Sequence, residues 1–499
     1  MARSVGHNAI MNVSLVASNA LATMITVPYV SRVLTVAGNG SVSFAQSTAN
    51  WFQVFCTIGV ASYAVRECAR VRDDRNKLSI LTLEFLVVIG VCSAVSLSEF
   101  AAANCFIPAF RSNGVLMWIF LANAFLTAFG VEWFYQATED YDYIVIRSIV
   151  IKVVAVALIV LFVKTPEDYI LYGLLLALGT SANNIFNIVR LVRLIQLPQG
   201  FGIRDLHPIR HLKALSYFTI MNISTSMYLS FDTILLSMLA PGNYQTGLYQ
   251  LAAKLKTLIL TAITAIVNVI TPRLSYLTKD GISGKYTSLL RLSFSFLLTF
   301  SLAIGAYMIV YAEPMVVFIS SKRFLDAVPS VRIAGAIIFI VSVANILGPL
   351  ILIPNNREKI FSIACLTAMP ASLILNVLLD GRYGAIGASI ALACTELVSL
   401  LVQIWACRKE LRSIVTVKLL AKSIIPSAAA SAASLAYLEF GPTPSAFMTL
   451  LVGTAIFGLV WVIGLLTVQE PTAMLVLRKF LPERGKHVNH RNNSGEERA

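Results

Sequence analysis

Hydrophobic stretches long enough to cross a membrane follow one another along the whole chain, and only short polar segments separate them. A bilayer core about 30 Å thick is crossed by a helix of roughly 20 apolar residues. The pattern predicts an all-α polytopic membrane protein, and its even number of spans places both termini on one side. The fourteen predicted spans are residues 10–31, 42–64, 79–101, 114–136, 143–163, 169–191, 214–239, 246–270, 289–311, 331–353, 360–379, 385–406, 420–438 and 446–467.

Composition and charge agree with this pattern. Hydrophobic residues make up 57% of the 499 residues and charged residues 13%, whereas a soluble chain would carry about twice as much charge. Thirty of the 39 basic residues are assigned to the termini, loops and adjoining span segments of one side, six lie in the opposite loops, and three others lie within spans or at their edges. The positive-inside rule therefore predicts cytoplasmic termini. A net charge of +14 suits an anionic lipid surface, so nucleic acid is not an expected partner.

The chain offers little that could perform chemistry. The seven cysteines are scattered, mostly within or beside spans, and show neither metal-ligand spacing nor a disulfide framework. All five histidines lie in loops or tails, and no phosphate-binding glycine loop occurs. We therefore predict no cofactor, no metal site and no enzymatic activity. The first span is too long for a typical signal peptide and is expected to remain as an uncleaved helix.

A short repeat suggests two related halves. Gly40–Ala45 opens the second span and Gly247–Ala252 opens the eighth, each after a short loop on the outer side, at a spacing of 207 residues. Transporters often retain such traces of internal repeats. The spacing predicts six spans in each half and two further spans. The predicted divisions are an N-terminal lobe over residues 1–213, a C-terminal lobe over 214–410, two extra helices over 411–470, and a basic, disordered cytoplasmic tail over 471–499.

Several charged residues lie in predicted spans, where charge is costly and therefore indicates function, and four of them are candidates for a site. They are Asp232 in the seventh span, Lys254 and Lys256 in the eighth, and Glu396 in the twelfth. Two residues correspond to about 200° around a helix, so only one of the two lysines can face a cavity squarely. Two interpretations stay open. Asp232 and Lys254 form a structural ion pair, or Lys254 attracts an anion in a cavity with its state set by Asp232. Glu396 either joins two helices or belongs to the same site.

From residue 8 to residue 470 the sequence resembles the oligosaccharide flippase (polysaccharide export) family, including O-antigen flippases, of the multidrug/oligosaccharidyl-lipid/polysaccharide exporter superfamily. No single motif is diagnostic, but their order on successive helix ends is characteristic. The motifs that carry the resemblance are Val27–Leu34, Gly40–Gln46, Gly59–Glu67, Glu132–Tyr141, Gly247–Lys254, Thr271–Ser275 and Tyr383–Ser389, the last leading to Glu396.

The resemblance implies two six-helix lobes around a central cavity, two extra helices, and transport by alternating access. It implies a substrate of sugars on polyprenyl pyrophosphate, moved from the cytoplasmic to the outer leaflet of a bacterial cell membrane. Asp232 and Glu396 would then couple transport to an ion or proton, and Arg32 could equally be an interfacial anchor. The residues expected to attract the pyrophosphate are Lys254, Lys256, Arg32 and Arg66.

Three other functions remain open at this point. An ion-coupled drug or metabolite antiporter of the same superfamily would favour an acidic cavity, whereas the deep charges here are at least as basic as acidic. A glycan polymerase or acyltransferase would need larger outer loops or intramembrane histidines. A scaffold for glycan assembly is not distinguished by sequence, and glycan polymerase machinery stays an open partner besides the lipid-linked substrate and membrane lipids.

Overall fold

The computed structural model describes residues 5–240, 242–278, 284–442 and 445–480. These residues form nineteen α-helices and no β-strand. Short 3₁₀ turns connect some of the helices, and a π-helical turn over Gly348–Leu352 follows α14. The helices are α1 (Val5–Val33), α2 (Val36–Thr57), α3 (Val60–Arg70), α4 (Arg75–Phe106), α5 (Pro108–Ser112), α6 (Gly114–Ala128), α7 (Glu132–Ala137), α8 (Tyr141–Phe162), α9 (Tyr169–Leu194), α10 (Leu212–Leu239), α11 (Tyr244–Leu277), α12 (Gly284–Val310), α13 (Ala312–Ile319), α14 (Val328–Leu347), α15 (Glu358–Ala406), α16 (Arg408–Ile414), α17 (Val417–Phe440), α18 (Ala446–Thr467) and α19 (Pro471–Phe480).

The all-α, multi-pass membrane class predicted from the sequence is confirmed. Within the described residues, eleven segments are long and apolar enough to cross a membrane. The prediction of fourteen differs for three reasons. Helix α15, 49 residues long, combines two predicted spans. Helix α2 is long enough but too polar to count. Helix α10 is counted only over Ser230–Leu239, a stretch too short to cross a membrane by itself.

Two of the predicted spans are broken by residues in the left-handed region. Helix α2 ends at Ile58 (φ 33°) and Gly59 (φ 74°), and α3 then begins in a new direction. Val131 (φ 44°) separates α6 from α7 in the same way. A β-branched residue at positive φ is strained, so these breaks are held by the surrounding packing.

Helix α15 reverses direction at Gly384 without an intervening loop. Gly384 has φ 55° and ψ −132°, a conformation that only glycine adopts readily. The side-chain oxygen of Gln245 accepts a hydrogen bond of 3.0 Å from the Ala385 amide just after the turn. A residue of α11 therefore satisfies the backbone donor that the kink releases.

The buried apolar residues form separate clusters along the chain. Two of them are built almost entirely from helices before α10, and a larger one joins α10 to α17 with contributions from Val27 and Val36. A fourth, smaller cluster around Tyr311, Ala430 and Phe457 packs α17 and α18 against α12. The last two long helices therefore lie on the outside of the second half.

The prediction of a disordered tail from residue 471 is wrong for its first ten residues, which form α19. The reason is a local cap. The Glu470 carboxylate is 1% exposed and accepts hydrogen bonds from the Thr472 hydroxyl, at 2.5 Å, and from the Ala473 amide, at 2.8 Å. It also accepts a bond of 2.5 Å from the Ser295 hydroxyl of α12. A carboxylate at a helix N-terminus satisfies free amides and favours helix formation. Residues 481–499 lie outside the described residues.

Candidate functional site

We call the end of the bundle with the α1–α2 and α10–α11 turns the outer end, following the predicted orientation, and the opposite end the inner end. At the outer end, α2 and α11 cross with their backbones in contact. A methyl group added at Gly40 would overlap the Asn243 carbonyl oxygen, and one added at Gly247 would overlap the Val36 carbonyl oxygen. Gly247 and Asn243 follow Gly40 and Val36 by 207 residues, the spacing of the sequence repeat, so each contact joins a glycine of one repeat segment to the equivalent partner position of the other. The two repeat segments thus contact each other reciprocally.

Polar contacts accompany this crossing. The Asn243 amide nitrogen donates to the Ser41 hydroxyl at 3.0 Å and to the Asn113 side-chain oxygen at 3.1 Å. The Arg32 guanidinium donates to the Phe318 carbonyl and lies 5.8 Å from the centre of the Phe318 ring. Residues from the first and second halves are therefore tied together at the outer end.

Two helices, α1 and α11, are more buried near their outer ends than near their inner ends. Among α1 side chains that the structure describes, those buried are Thr26, Val27, Val30 and Ser31, all in its outer half. In α11, seven of the ten buried residues fall within Thr246–Leu255, the outer third of the helix. The inner parts of α1 and α11 are therefore much less covered by protein than the outer parts.

Asp232 lies just below the crossing and is satisfied by neutral donors. Its carboxyl group is 5% exposed. It accepts hydrogen bonds from the Asn376 amide nitrogen at 2.8 Å, the Ser372 hydroxyl at 2.9 Å and the Tyr249 hydroxyl at 3.3 Å. Asp232 thus joins α10 to α11 and α15. No ion pair between Asp232 and Lys254 occurs among the described residues, so the structural pairing considered from the sequence is not formed.

A second carboxyl group, Asp380, lies one helical turn beyond Asn376 on α15. It is completely buried, and neither of its oxygens has a hydrogen-bond partner among the described residues. The Asn376 side-chain oxygen is also buried without a partner. Asp380 and Asp232 are close enough for a Coulomb interaction. Three acceptor oxygens therefore lie in one buried region without a donor from the part of the chain that the structure describes.

The two lysines of α11 differ in their surroundings. Both are half-buried. Lys256 interacts electrostatically with Glu396 and with Asp232, whereas Lys254 forms no hydrogen bond or ion pair within the described segments. Glu396 is 5% exposed and faces this region from the second part of α15. Of the charged residues predicted within the membrane, Asp232, Lys256 and Glu396 are thus brought together, and Lys256 rather than Lys254 balances the acids.

The two predicted arginines lie elsewhere. Arg32 is at the outer end, as described above. Arg66 is on α3 at the inner end, where it is exposed, donates to the Glu67 carboxylate at 3.0 Å and lies 5.3 Å from the centre of the Tyr63 ring. Helix α2 alone, with 22 residues, separates the two arginines by about 30 Å. The structure does not bring either arginine to the lysines.

Sequence reasoning missed Asp380, Asn376, Ser372 and Tyr249. The predicted spans 360–379 and 385–406 leave Asp380 in an outer loop with Arg382, whereas α15 continues as far as Gly384. The spacing of Ser372, Asn376 and Asp380 by four residues, which places them on one helix face, was an available signal. Nothing in a single sequence indicates that this face meets Asp232.

Solved structures with the same fold define the class of the protein. "Lipid II flippase MurJ, inward closed conformation" aligns with a TM-score of 0.71 and 13% identity, covering 95% of this chain and all of that chain. A "multidrug resistance MATE family transporter of the MOP superfamily", in an inward-facing conformation, aligns with a TM-score of 0.62 and 14% identity over 81% of this chain and 98% of that chain. The fold is that of these all-helical membrane transporters.

Sequence comparison identifies the family. Residues 5–278 match the family described as "Polysaccharide biosynthesis protein", and the chain belongs to it. A protein of Escherichia coli K12 is 23% identical over 79% of this chain and 94% of its own length, and one of Shigella dysenteriae is 24% identical over 78% and 97%. Both bear the name "Putative O-antigen transporter". The resemblance that the motifs indicated is confirmed.

Proposed function

We propose that this protein is a flippase that moves oligosaccharides linked to polyprenyl pyrophosphate from the cytoplasmic to the outer leaflet by alternating access. The family, the names of the two relatives and the flippase fold support transport of a lipid-linked oligosaccharide. The observation that carries the proposal is the crossing at Gly40 and Gly247, which closes the outer end above a group of buried charges. The weakly covered inner parts of α1 and α11 fit a cavity open toward the cytoplasm.

The proposed architecture is two lobes, residues 1–213 and 214–410, with the helices of 411–470 outside the second. The separate apolar cores of the two halves support this division. Because this backbone contact between the lobes relates equivalent positions of the repeat, the lobes can separate at the outer end as the inner end closes. A pyrophosphate cannot cross hydrocarbon without such a cavity.

We assign attraction of the pyrophosphate to Lys254. It lies about 10 Å inward of Gly247 along α11, where the buried part of the helix ends, and it has no partner among the described residues. Lys256 is less suitable because Glu396 and Asp232 already balance its charge. Arg66 at the inner end would attract the substrate at entry, and Arg32 would act when the outer end opens.

We assign ion or proton coupling to Asp232, with Glu396 nearby and Asp380 added by the structure. A buried carboxyl group without a donor is stable only when it is protonated or accompanied by a cation. Asp380 meets this description, and the Asn376 side-chain oxygen is a further acceptor without a donor among the described residues. Such oxygen atoms can bind either a proton or a hard cation. No ATP-binding motif occurs in the sequence, which agrees with gradient-driven transport.

The test uses a strain that lacks the protein. Lipid-linked oligosaccharide is quantified on each side of the membrane after complementation with the wild type, Lys254→Ala, or Lys359→Ala, an exposed lysine at the start of α15. We expect accumulation on the cytoplasmic side, rescued by the wild type and by Lys359→Ala but not by stably expressed Lys254→Ala.

The buried acids favour one second candidate, a cation-coupled drug or metabolite antiporter. Asp232 and Asp380 would then bind the coupling ion, as in the flippase, but the substrate would be an organic cation. Unchanged lipid-linked oligosaccharide together with greater sensitivity to organic cations in the deletion strain would replace the flippase proposal with this one.

A further inference from the structure

A cavity of about 560 Å³ opens at the inner end of the first half, apart from the helices that carry the buried acids and lysines. It lies between the start of α4, the α7–α8 turn and the end of α9. Four arginines line it, which is an unusual concentration for one cavity, and three carboxylates accompany them. The arginines are Arg72, Arg75, Arg190 and Arg193, and the carboxylates are Asp73, Glu139 and Asp140.

Two of the arginines are held in place by carboxylates. Arg72 donates to Glu139 at 2.7 Å, and Arg190 donates to Asp140 at 2.7 Å. The Arg190 guanidinium also lies 3.9 Å from the centre of the Tyr143 ring. Planar stacking and a carboxylate partner together fix the orientation of a guanidinium. One wall of the cavity is therefore preorganised.

The other two arginines have no such partners. Within the described residues, the guanidinium groups of Arg75 and Arg193 form no hydrogen bond or ion pair, and both residues are exposed. Arg75 is the first residue of α4, whose N-terminus is capped by the Asp74 carboxylate, so the helix end itself is not free for a ligand. Arg193 lies in the last turn of α9. Two unpaired guanidinium groups in one cavity are an arrangement that binds oxyanions.

We propose that this cavity binds a phosphate group, with Arg75 and Arg193 as its ligands. Its place at the predicted cytoplasmic face favours the headgroup of an anionic phospholipid, since basic pockets between transmembrane helices on that face bind such headgroups. Leu78, Phe134 and Leu194 in the lining offer apolar contact to the adjoining part of a lipid. A free phosphate would use the same two arginines. The proposal does not depend on which substrate the protein transports.

The test is a binding titration of the full-length protein in detergent, followed by native mass spectrometry. The probes are phosphatidylglycerol, phosphatidylcholine, and phosphatidylglycerol with inorganic phosphate as competitor. The cavity variant is Arg75→Gln/Arg193→Gln. The matched control is Arg408→Gln/Arg412→Gln, which removes the same charge from the inner end of the second half, outside the cavity.

We expect the wild type and the control to bind phosphatidylglycerol at least about tenfold more tightly than phosphatidylcholine, and the cavity variant to lose this preference. Displacement by millimolar inorganic phosphate would assign the site to a soluble phosphate, and its absence would assign it to the lipid. Unchanged binding in the cavity variant, or an equal loss in the control, would overturn the proposal. If the double variant does not fold, Arg193→Gln alone serves the same purpose, because no described contact of its guanidinium supports the fold.

Discussion

At the level of single residues, Asp232 and Asp380 are both buried yet have opposite surroundings. Asp232 accepts three hydrogen bonds from neutral side chains, whereas Asp380 accepts none from the described residues. An uncompensated buried charge costs several kcal/mol. The fold therefore tolerates at Asp380 a group that packing alone would not select, which is typical of a functional residue.

The substitution Asp380→Asn tests this interpretation. We expect the variant to unfold at the same or a higher temperature than the wild type, because it removes a charge without donors, and to lose the dependence of its melting temperature on the monovalent cation. The measurement is thermal unfolding of the detergent-solubilised protein in sodium, potassium and choline chloride at equal ionic strength. Glu358→Gln, at an exposed position, is the control. A lower melting temperature with unchanged cation dependence would contradict the assignment.

The sequence predicts the burial of some of these acidic residues but not of all of them. Asp232 and Glu396 could be predicted as buried because apolar residues surround them in spans of clear length. Asp380 could not, since Gly381 and Gly384 resemble a loop, whereas the helix continues through Gly381 and turns only at Gly384. The partners of Asp232 on α15 are about 140 residues away, and only the fold brings them together.

At the level of helices, the crossing of α2 and α11 depends on having no side chain at two positions. A methyl group at Gly40 or Gly247 would meet backbone oxygens of the opposite helix, which cannot rotate away as a flexible side chain can. The close approach of two helices through small residues is a common way of joining them in membranes. A side chain at either position would therefore prevent the close approach of the two helices.

We expect Gly40→Ala and Gly247→Ala each to weaken closure of the outer end and to reduce transport at least about tenfold, a change of about 1.4 kcal/mol. Closure is measured as the rate of disulfide formation between cysteines introduced at Ser41 and Asn243, whose side chains are in contact. Gly458→Ala in α18, where a methyl group would meet open space, should change neither quantity. Equal cross-linking in all variants would show that the crossing does not control the outer end.

A buried carboxylate of α4 holds the connection between α9 and α10 against the first half. Glu84 on α4 is 1% exposed and accepts hydrogen bonds from the Arg210 guanidinium at 2.6 Å, the His207 amide at 2.8 Å and the His211 ring at 2.9 Å. The His211 ring also contacts the Tyr63 hydroxyl at 3.2 Å. The segment that joins the two halves is thus anchored to the half that precedes it.

We expect Glu84→Ala to destabilise the protein by about 3 kcal/mol, because it leaves the buried His211 and the donor groups around it without their acceptor. Glu84→Gln keeps an acceptor oxygen, so this variant should lose clearly less stability than Glu84→Ala. The measurements are denaturant unfolding and the rate of trypsin cleavage at Arg204 and Arg210. Should Glu84→Ala be cleaved no faster than the wild type, the carboxylate would not be what holds this segment.

Helix existence and order could be predicted from hydrophobic length, since a membrane leaves few alternatives to helices. The breaks within two of the predicted spans could not be predicted. Ile58 and Val131 adopt positive φ angles, although sequence rules associate that conformation with glycine and asparagine. Their strain is compensated by packing; the Ile58 carbonyl, for example, accepts a hydrogen bond of 2.9 Å from the Thr219 hydroxyl. Such compensation depends on neighbours that are distant in sequence.

At the level of the whole molecule, the predicted orientation follows from the distribution of basic residues. We expect a fluorescent protein fused after Ala499 to fluoresce in intact cells, because the C-terminus is predicted to be cytoplasmic. Alkaline phosphatase fused after Thr165, in the α8–α9 turn, should be active because that turn is predicted to be outside. The reverse result would invert the assignment of the inner and outer ends and with it the direction of transport.

The reciprocal contact at Gly40 and Gly247 also bears on how the two halves diverged after the duplication that their repeat implies. Each glycine faces the backbone of the other repeat, so a mutation in either copy disturbs the same contact. Selection therefore acts on both copies together at these positions, while residues facing lipid on either half are free to drift independently. The stretch in which the ancestral duplication can still be recognised is the stretch in which the two copies touch.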